Sequence, residues 1–355
     1  MEKERLGVIF GGMSTENEVS VVSANSVIKN LDREKYEIYP IYIDKNGIWY
    51  GYSDLQEERK LGEKVDKKNR ISDLIGYLKK LDILFPILHG LYGEDGTVQG
   101  LFELLKKPYV GCGVLASSVG MDKVYTKVIF EKAGLNQAKY EYVRKYNEKY
   151  IYMDSKFNEQ VMTLDGVVEK IFKNLKFPMF IKPSNSGSSV GINKAKSKEE
   201  LKQAIEYASK FDNKILIEEG IIGREVECAV LGNEEITASC VGEVKSAEEF
   251  YSYDAKYNNE DSKTEIPANI SEELSVEIRN QAIKAFKAID GKGLSRVDFF
   301  IENGTNKIYI NEINTLPGFT SISMYPKLFE ASGVSYKELL NKLIELSKEK
   351  YVTDH

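Results

Sequence analysis

The residues best equipped for chemistry lie in one stretch, 295–323, SRVDFFIENGTNKIYINEINTLPGFTSIS. Asp298, Glu312 and Asn314 are oxygen donors with no His or Cys among them, a set that suits a hard cation such as Mg²⁺. Two apolar, β-branched and aromatic runs, 296–301 and 307–313, flank Glu302-Asn303-Gly304, which predicts a hairpin. Glu312 and Asn314 are two apart and share a face of the second strand; Arg296 shares a face with Asp298 on the first. Thr315-Leu316-Pro317-Gly318 then turns, and its glycine lets backbone N–H groups approach a ligand closely. Taken alone, the pattern also describes a surface hairpin with scattered charges.

A second cluster is FPMFIKPSNSGSSVG, 177–191. A strand at 179–181 delivers Lys182. The serines and glycines that follow leave backbone N–H groups free to wrap phosphate oxygens, with Lys182 as a point charge. The lysine precedes the glycines, so this is not a Walker loop. A strand at 215–217 ends in Glu218-Glu219, and Glu225 opens the next strand. Carboxylates there suit an adenine amino group and ribose hydroxyls, which donate hydrogen bonds. FYSYDAKY, 250–257, and the polar run 258–263 read as a lid carrying an aromatic–lysine cluster. Lys123, after Met121-Asp122, opens a helix and has an ordinary solvated lysine as its alternative reading.

The elements that position these groups begin with a buried strand, 6–10, ending in Gly11-Gly12. Glu16 and Glu18 precede a helix over 19–31. The full G-x-G-x-x-G fingerprint is absent. Glu16 either caps that helix or receives a ligand's ammonium group. Strands follow at 36–43 and 83–88. The latter runs into His89-Gly-Leu-Tyr-Gly-Glu-Asp-Gly96, a glycine-rich loop at a strand's carboxyl end, where open α/β sheets bind ligands. A helix at 97–105 closes a first domain near residue 111. Residues 144–165 are polar, tyrosine-rich and without period, and read as a variable insertion. Capping boxes at Ser197 and Ser335 open further helices, and Ser271 caps another over 271–290.

A chain of 355 residues has room for two or three domains. Its net charge of −6 comes with dispersed basic residues, which argues against a nucleic-acid surface. The three cysteines have no metal-ligand spacing and are odd in number, so a reducing cytoplasm is the expected location. No run reaches membrane-spanning length, and the first residues lead into a strand rather than a signal peptide.

Eight segments in register, GGMSTENEVS, HGLYGEDG, MDKVYTK, IKPSNSGSSVG, EEGIIGREVE, FYSYDAKY, SRVDFF and NEINTLPGFTSIS, make the chain resemble the D-alanine–D-alanine ligases of the ATP-grasp superfamily. The resemblance spans nearly the whole chain, with 144–165 outside it. It implies an α/β and α+β, three-domain ATP-grasp fold: an N-terminal Rossmann-like parallel-sheet domain, 1–111; a central subdomain with the glycine-rich phosphate loop, 112–218; and a C-terminal subdomain with lid and metal hairpin, 219–355. It implies ATP and two Mg²⁺ ions, with Mn²⁺ as a substitute, D-alanine as substrate and a homodimer.

Roles carried over by the resemblance are as follows. Lys123 and Lys182 hold phosphates, Ser189 belongs to the phosphate loop, and Lys256 reaches the transferring group. Glu218, Glu219 and Ile221 border the adenine and Glu225 the ribose. Asp298, Glu312 and Asn314 hold the metal ions, and Arg296 with the Gly318 amide faces the reaction centre. Glu16 takes the first D-alanine's ammonium in a triad with Ser188 and Tyr257, near His89. Ser323 holds the second substrate's carboxylate beside Met324. Glu219 stands where many relatives have Lys, Met324 where many have Leu, and Asn185-Ser186 replace a pair often charged in relatives. The alternative is a D-alanine–D-serine or D-alanine–D-lactate ligase, against which Tyr257 in FYSYDAKY speaks.

Overall fold

The computed structural model describes residues 2–52, 69–154, 156–187, 189–245 and 263–354. Its first sheet is built from β1 (Glu4–Gly11), β2 (Tyr36–Ile43), β3 (Trp49–Gly51) and β4 (Ile83–Leu88), with α1 (Asn17–Asn30), α2 (Leu74–Lys79) and α3 (Thr97–Leu104) between and after them. The order is β3-β2-β1-β4; β1 runs parallel to β2 and β4, and β3 antiparallel to β2. β1 and β4 are near-continuous apolar runs because both of their faces are covered. The chain leaves β1 for β2 on one side and returns to β4 on the other. Gly11 therefore lies opposite Leu88, and both strands open onto one crevice at a topological switch point. Gly11 has φ +91°, and a Cβ there would lie 2.2 Å from the Ile43 carbonyl oxygen, so glycine is required.

After α4 (Val114–Met121) and α5 (Lys123–Lys132) comes a second, antiparallel sheet in the order β7-β6-β5-β10-β8-β9. Its strands are β5 (Tyr140–Tyr146), β6 (Lys149–Met153), β7 (Glu159–Met162), β8 (Met179–Pro183), β9 (Asn193–Ala195) and β10 (Lys214–Glu219). α6 (Leu164–Asn174) and α7 (Lys198–Ala208) bury their apolar residues against it. The stretch 144–165, without period in the sequence, is regular structure: it forms the end of β5, β6, β7 and the start of α6. Tyr150 and Tyr152 point into the core, and Asn147, with φ +53°, makes the hairpin turn between β5 and β6.

The third sheet is also antiparallel, ordered β13-β12-β11-β14-β15. It comprises β11 (Gly223–Gly232), β12 (Thr237–Lys245), β13 (Lys263–Glu265), β14 (Gly293–Glu302) and β15 (Ile308–Asn314). α8 (Glu272–Ala288), capped by Ser271, buries Ile278, Ala282, Ala285 and Phe286, a helical stripe. α9 (Met324–Ala331) packs on β11 and β12 of the third sheet, where the Tyr325 hydroxyl donates to the Val230 carbonyl at 3.1 Å, and α10 (Tyr336–Asp354) puts Leu339, Leu340, Leu343 and Ile344 into one core with β1 and β4. Lys348 bridges to Glu4 at 2.8 Å, and Lys350 donates to the Gly111 carbonyl at 2.9 Å. The Ile310 amide donates to the Asn136 carbonyl at 2.8 Å, joining β15 to the segment that enters the second sheet. Among the described residues, no helix is long and apolar enough to cross a membrane.

Candidate active site

The crevice at the ends of β1 and β4 carries Glu16 and His89. Glu16 stands at the N-cap position just before α1, but its side chain makes no capping bond, which removes the capping alternative. A Cβ on either Gly90 or Gly187 would come within 2.7 Å of Glu16 Oε2, so the carboxylate sits closely against two glycine backbones and a side chain at either would displace it. Ser14 Oγ donates to the His89 carbonyl at 2.6 Å and accepts from the Glu16 amide at 3.1 Å, tying the two loops together. His89 Nδ1 lies 3.2 Å from the Leu316 carbonyl oxygen and 3.6 Å from Glu94 Oε1; Nε2 lies 3.2 Å from Ser23 Oγ. Burial pulls the imidazole pKa down, but the Glu94 carboxylate and then Glu16 outweigh it, and the net shift is upward.

On the third sheet, Glu227, Asp298 and Glu312 occupy one rung across β11, β14 and β15. A bulge directly after Asp298 re-aims this part of the hairpin. Arg296 Nε and Nη2 donate to the two Asp298 oxygens at 2.7 Å each, and Glu227 Oε2 is 3.0 Å from Arg296 Nε. Asn314 Nδ2 donates to Asp298 Oδ2 at 3.0 Å. Burial works against the guanidinium charge, yet Asp298 and Glu227 hold the Arg296 pKa well above its ordinary value. Among the described residues, no three His, Cys, Asp or Glu side chains gather into a metal site. Asp298 and Glu312 with the Asn314 amide still fit a hard cation that takes its remaining oxygens from phosphate or water.

Between the second and third sheets lies a cleft whose walls include Phe180, Lys182, Ser189, Glu218, Glu219, Ile221, Glu225 and Tyr309. Lys182 from β8 pairs with Glu218 Oε1, and Lys127 from α5 pairs with Glu218 Oε2 at 2.8 Å. Burial alone would raise the Glu218 pKa; Lys127 and Lys182 reverse this and hold it at about 2. Lys182 Nζ is also 3.4 Å from Asn311 Oδ1. Lys123 donates to the Ser186 carbonyl at 2.6 Å, and Glu219 Oε1 accepts from the Lys176 amide at 2.9 Å.

A neighbouring cavity is walled by Glu16, His89, Lys123, Arg296, Asn314, Gly318, Ser323 and Met324. A Cβ on Gly318 would meet Ser323 Oγ at 2.8 Å. Ser323 Oγ accepts from the Thr320 amide at 2.9 Å, so its hydroxyl is already oriented. The two cavities share Ser189, Ile192 and Glu312 in their walls. Ser188, Lys256 and Tyr257 lie outside the described residues, as does the lid reading except at Lys263. The sequence reading missed Ser23, Lys127 and Glu227. Lys127 follows Lys123 by one helical turn, and Glu227 follows Glu225 by two strand positions, so same-face spacing was the available signal.

Residues 5–112 match the family model described as D-ala D-ala ligase N-terminus, and 129–345 match that described as D-ala D-ala ligase C-terminus. The second match includes 144–165, which the sequence reading left out. The chain is 50% identical to a D-alanine–D-alanine ligase of Acetivibrio thermocellus, covering 99% of this chain and 97% of the relative. The solved VanG D-Ala:D-Ser ligase of Enterococcus faecalis superposes with a TM-score of 0.83 at 37% identity, over 98% of this chain and 100% of the other. The D-alanine–D-alanine ligase of Bacillus anthracis, solved in complex with ATP, superposes at 0.75 with 30% identity, over 99% and 100%.

Proposed function

The chain belongs to the D-alanine–D-alanine ligase family, and we propose that its adjoining cavities join two D-alanines into the dipeptide that peptidoglycan precursors need, with ATP split to ADP and phosphate. The fold is accordingly of ATP-grasp type. The observation that carries the reading is the common wall: Ser189, Ile192 and Glu312 border both the cleft between the antiparallel sheets and the cavity holding Glu16. A phosphoryl group held in one can therefore meet a carboxylate held in the other.

A carboxylate is a poor electrophile, so the terminal phosphoryl group moves first onto the first D-alanine. Glu16 receives that substrate's ammonium group, beside His89. Lys123 and Lys182 hold phosphate oxygens, Glu218, Glu219 and Ile221 border the adenine, and Glu225 the ribose. Asp298, Glu312 and Asn314 would hold Mg²⁺, which supplies charge neutralisation at the phosphates. The second D-alanine, its carboxylate on Ser323, attacks the acyl phosphate through its neutral amine. Arg296 and the Gly318 amide stabilise the oxyanion; one such donor is typically worth about 3 kcal/mol. Lys256, Ser188 and Tyr257 complete the site by resemblance to the family. The same reading takes the domains as 1–111, 112–218 and 219–355, the assembly as a homodimer and the location as cytoplasmic.

The test is phosphate release with D-alanine, L-alanine, D-serine and D-lactate as acceptors, with D-alanine the strongest. A rate with D-serine above that with D-alanine overturns the reading. That outcome is the second reading, supported by the likeness to a D-Ala:D-Ser ligase and by Met324 in the acceptor cavity.

A further inference from the structure

We propose that Lys127 is a positioning residue for nucleotide binding: it stays on the Glu218 carboxylate as a fixed counter-ion when Lys182 leaves that carboxylate for the triphosphate. The inference rests on the reading above that Glu218 meets the adenine and Lys182 the phosphates.

One carboxylate here has two ammonium partners, and they are not equivalent. Lys182 stands on the wall of the cleft, at the end of the strand that feeds the phosphate loop. Lys127 comes from α5 and is 3% exposed; it is not among the residues lining the cleft. Its Nζ lies 5.5 Å from the centre of the Tyr140 ring, and Tyr140 is the register partner of Glu218 across β5 and β10. A phosphate can draw Lys182 away, but it has no route to Lys127.

The two lysines also use different oxygens. Lys182 takes Oε1 and Lys127 takes Oε2. Departure of Lys182 vacates Oε1 alone, leaving an acceptor in one defined direction for an exocyclic amine. Without Lys127, the same departure would leave a buried carboxylate unpaired, a strongly unfavourable state that is relieved by taking up a proton. A protonated Glu218 would lose acceptor capacity at the moment the base arrives. The charged or titratable groups facing Glu218 are Lys127 from α5, Tyr140 from β5 and Lys182 from β8; Glu225 and Glu312 act on Lys182.

The experiment measures KM for ATP and kcat in the full chain for Lys127→Met, Lys127→Arg, Glu218→Gln and the Lys127→Met/Glu218→Gln double variant. Lys127→Met should raise KM for ATP about tenfold at pH 8 with kcat little changed. The penalty should grow at pH 6, because Glu218 without its counter-ion has a raised pKa and loses its charge as pH falls. Lys127→Arg should restore most of the affinity. In the Glu218→Gln background, Lys127→Met should add nothing.

A wild-type KM in Lys127→Met, or additive losses in the double variant, overturns the proposal. If Lys127→Met does not fold, the double variant against Glu218→Gln still decides it, because a packing role predicts a further loss there. A wild-type ATP KM in Glu218→Gln sinks the adenine reading and this inference together. Impaired Glu218→Gln beside a silent Lys127→Met sinks only the latter.

Discussion

The crevice of the parallel sheet and the cleft between the antiparallel sheets hold their functional groups by different means. In the crevice, Glu16 and His89 are set by backbone: Ser14 ties their loops, Gly90 and Gly187 give Glu16 its space, and the Leu316 carbonyl orients the imidazole. In the cleft and on the adjoining face of the third sheet, cations and carboxylates hold one another: Lys182 and Lys127 on Glu218, Arg296 on Asp298 with Glu227 alongside. Under the proposed function, the first arrangement is ready for a small zwitterion. The second is neutralised in advance, and under the same proposal phosphate and its cation would take Lys182 and Asp298 out of existing pairs. Each of those pairs has a second buried partner, Lys127 or Glu227, able to limit the unpaired charge that remains.

The largest expected effect breaks the cleft. Glu312→Gln should lower phosphate release by about a thousandfold with an unchanged melting temperature, since it removes an oxygen donor from the proposed cation set without changing shape. A folded variant keeping a tenth of the wild-type rate would show that the third sheet holds no essential cation there.

A smaller loss should follow from crowding the crevice. Gly90→Ala places a methyl group 2.7 Å from Glu16 Oε2. KM for the first D-alanine should rise about thirtyfold while KM for ATP stays within threefold, because misplacement of a positioning group is felt locally. Equal rises in both would mean that the two regions are not organised separately.

The smallest effect is electrostatic. Because the folded-state pKa of His89 is raised, its charge contributes stability in full below the unfolded value near 6.5, and that stability is lost as pH rises through the folded value. The stability difference between wild type and His89→Gln in urea melts should therefore be larger at pH 6 than at pH 9. An unchanging difference would mean that the imidazole stays neutral and that geometry alone holds it.

The two regions also differed in legibility. β2 and β4 coincide with the runs read from sequence, because strands covered on both faces are nearly unbroken apolar runs. The hairpin of β14 and β15 was equally plain, since a turn at Asn303-Gly304 separates two β-branched runs. The strands at 140–162 were not. In β6 the inward positions are filled by Tyr150 and Tyr152, whose polar tips hide the alternation, and the positions alternating with them include the apolar Ile151 and Met153, so no clean period of two is left. Lys127 was missed because a lysine on a helix is solvated by default, and only the third dimension brings Glu218 beside it. Spacing named Arg296 and Asp298 as sharing a face, but not that they pair with each other before any ligand arrives.

The seam between Lys348 and Glu4, two residues 344 positions apart, bears on how the molecule comes into being. α10 completes the core of β1 and β4, so the first sheet to leave the ribosome keeps part of its apolar surface uncovered while the chain from Leu88 to Tyr336 is made. Contacts of such long range slow folding and lengthen exposure to aggregation. Truncation within α10, far in sequence from Glu16 and His89, should therefore reach D-alanine binding through the sheet that carries them.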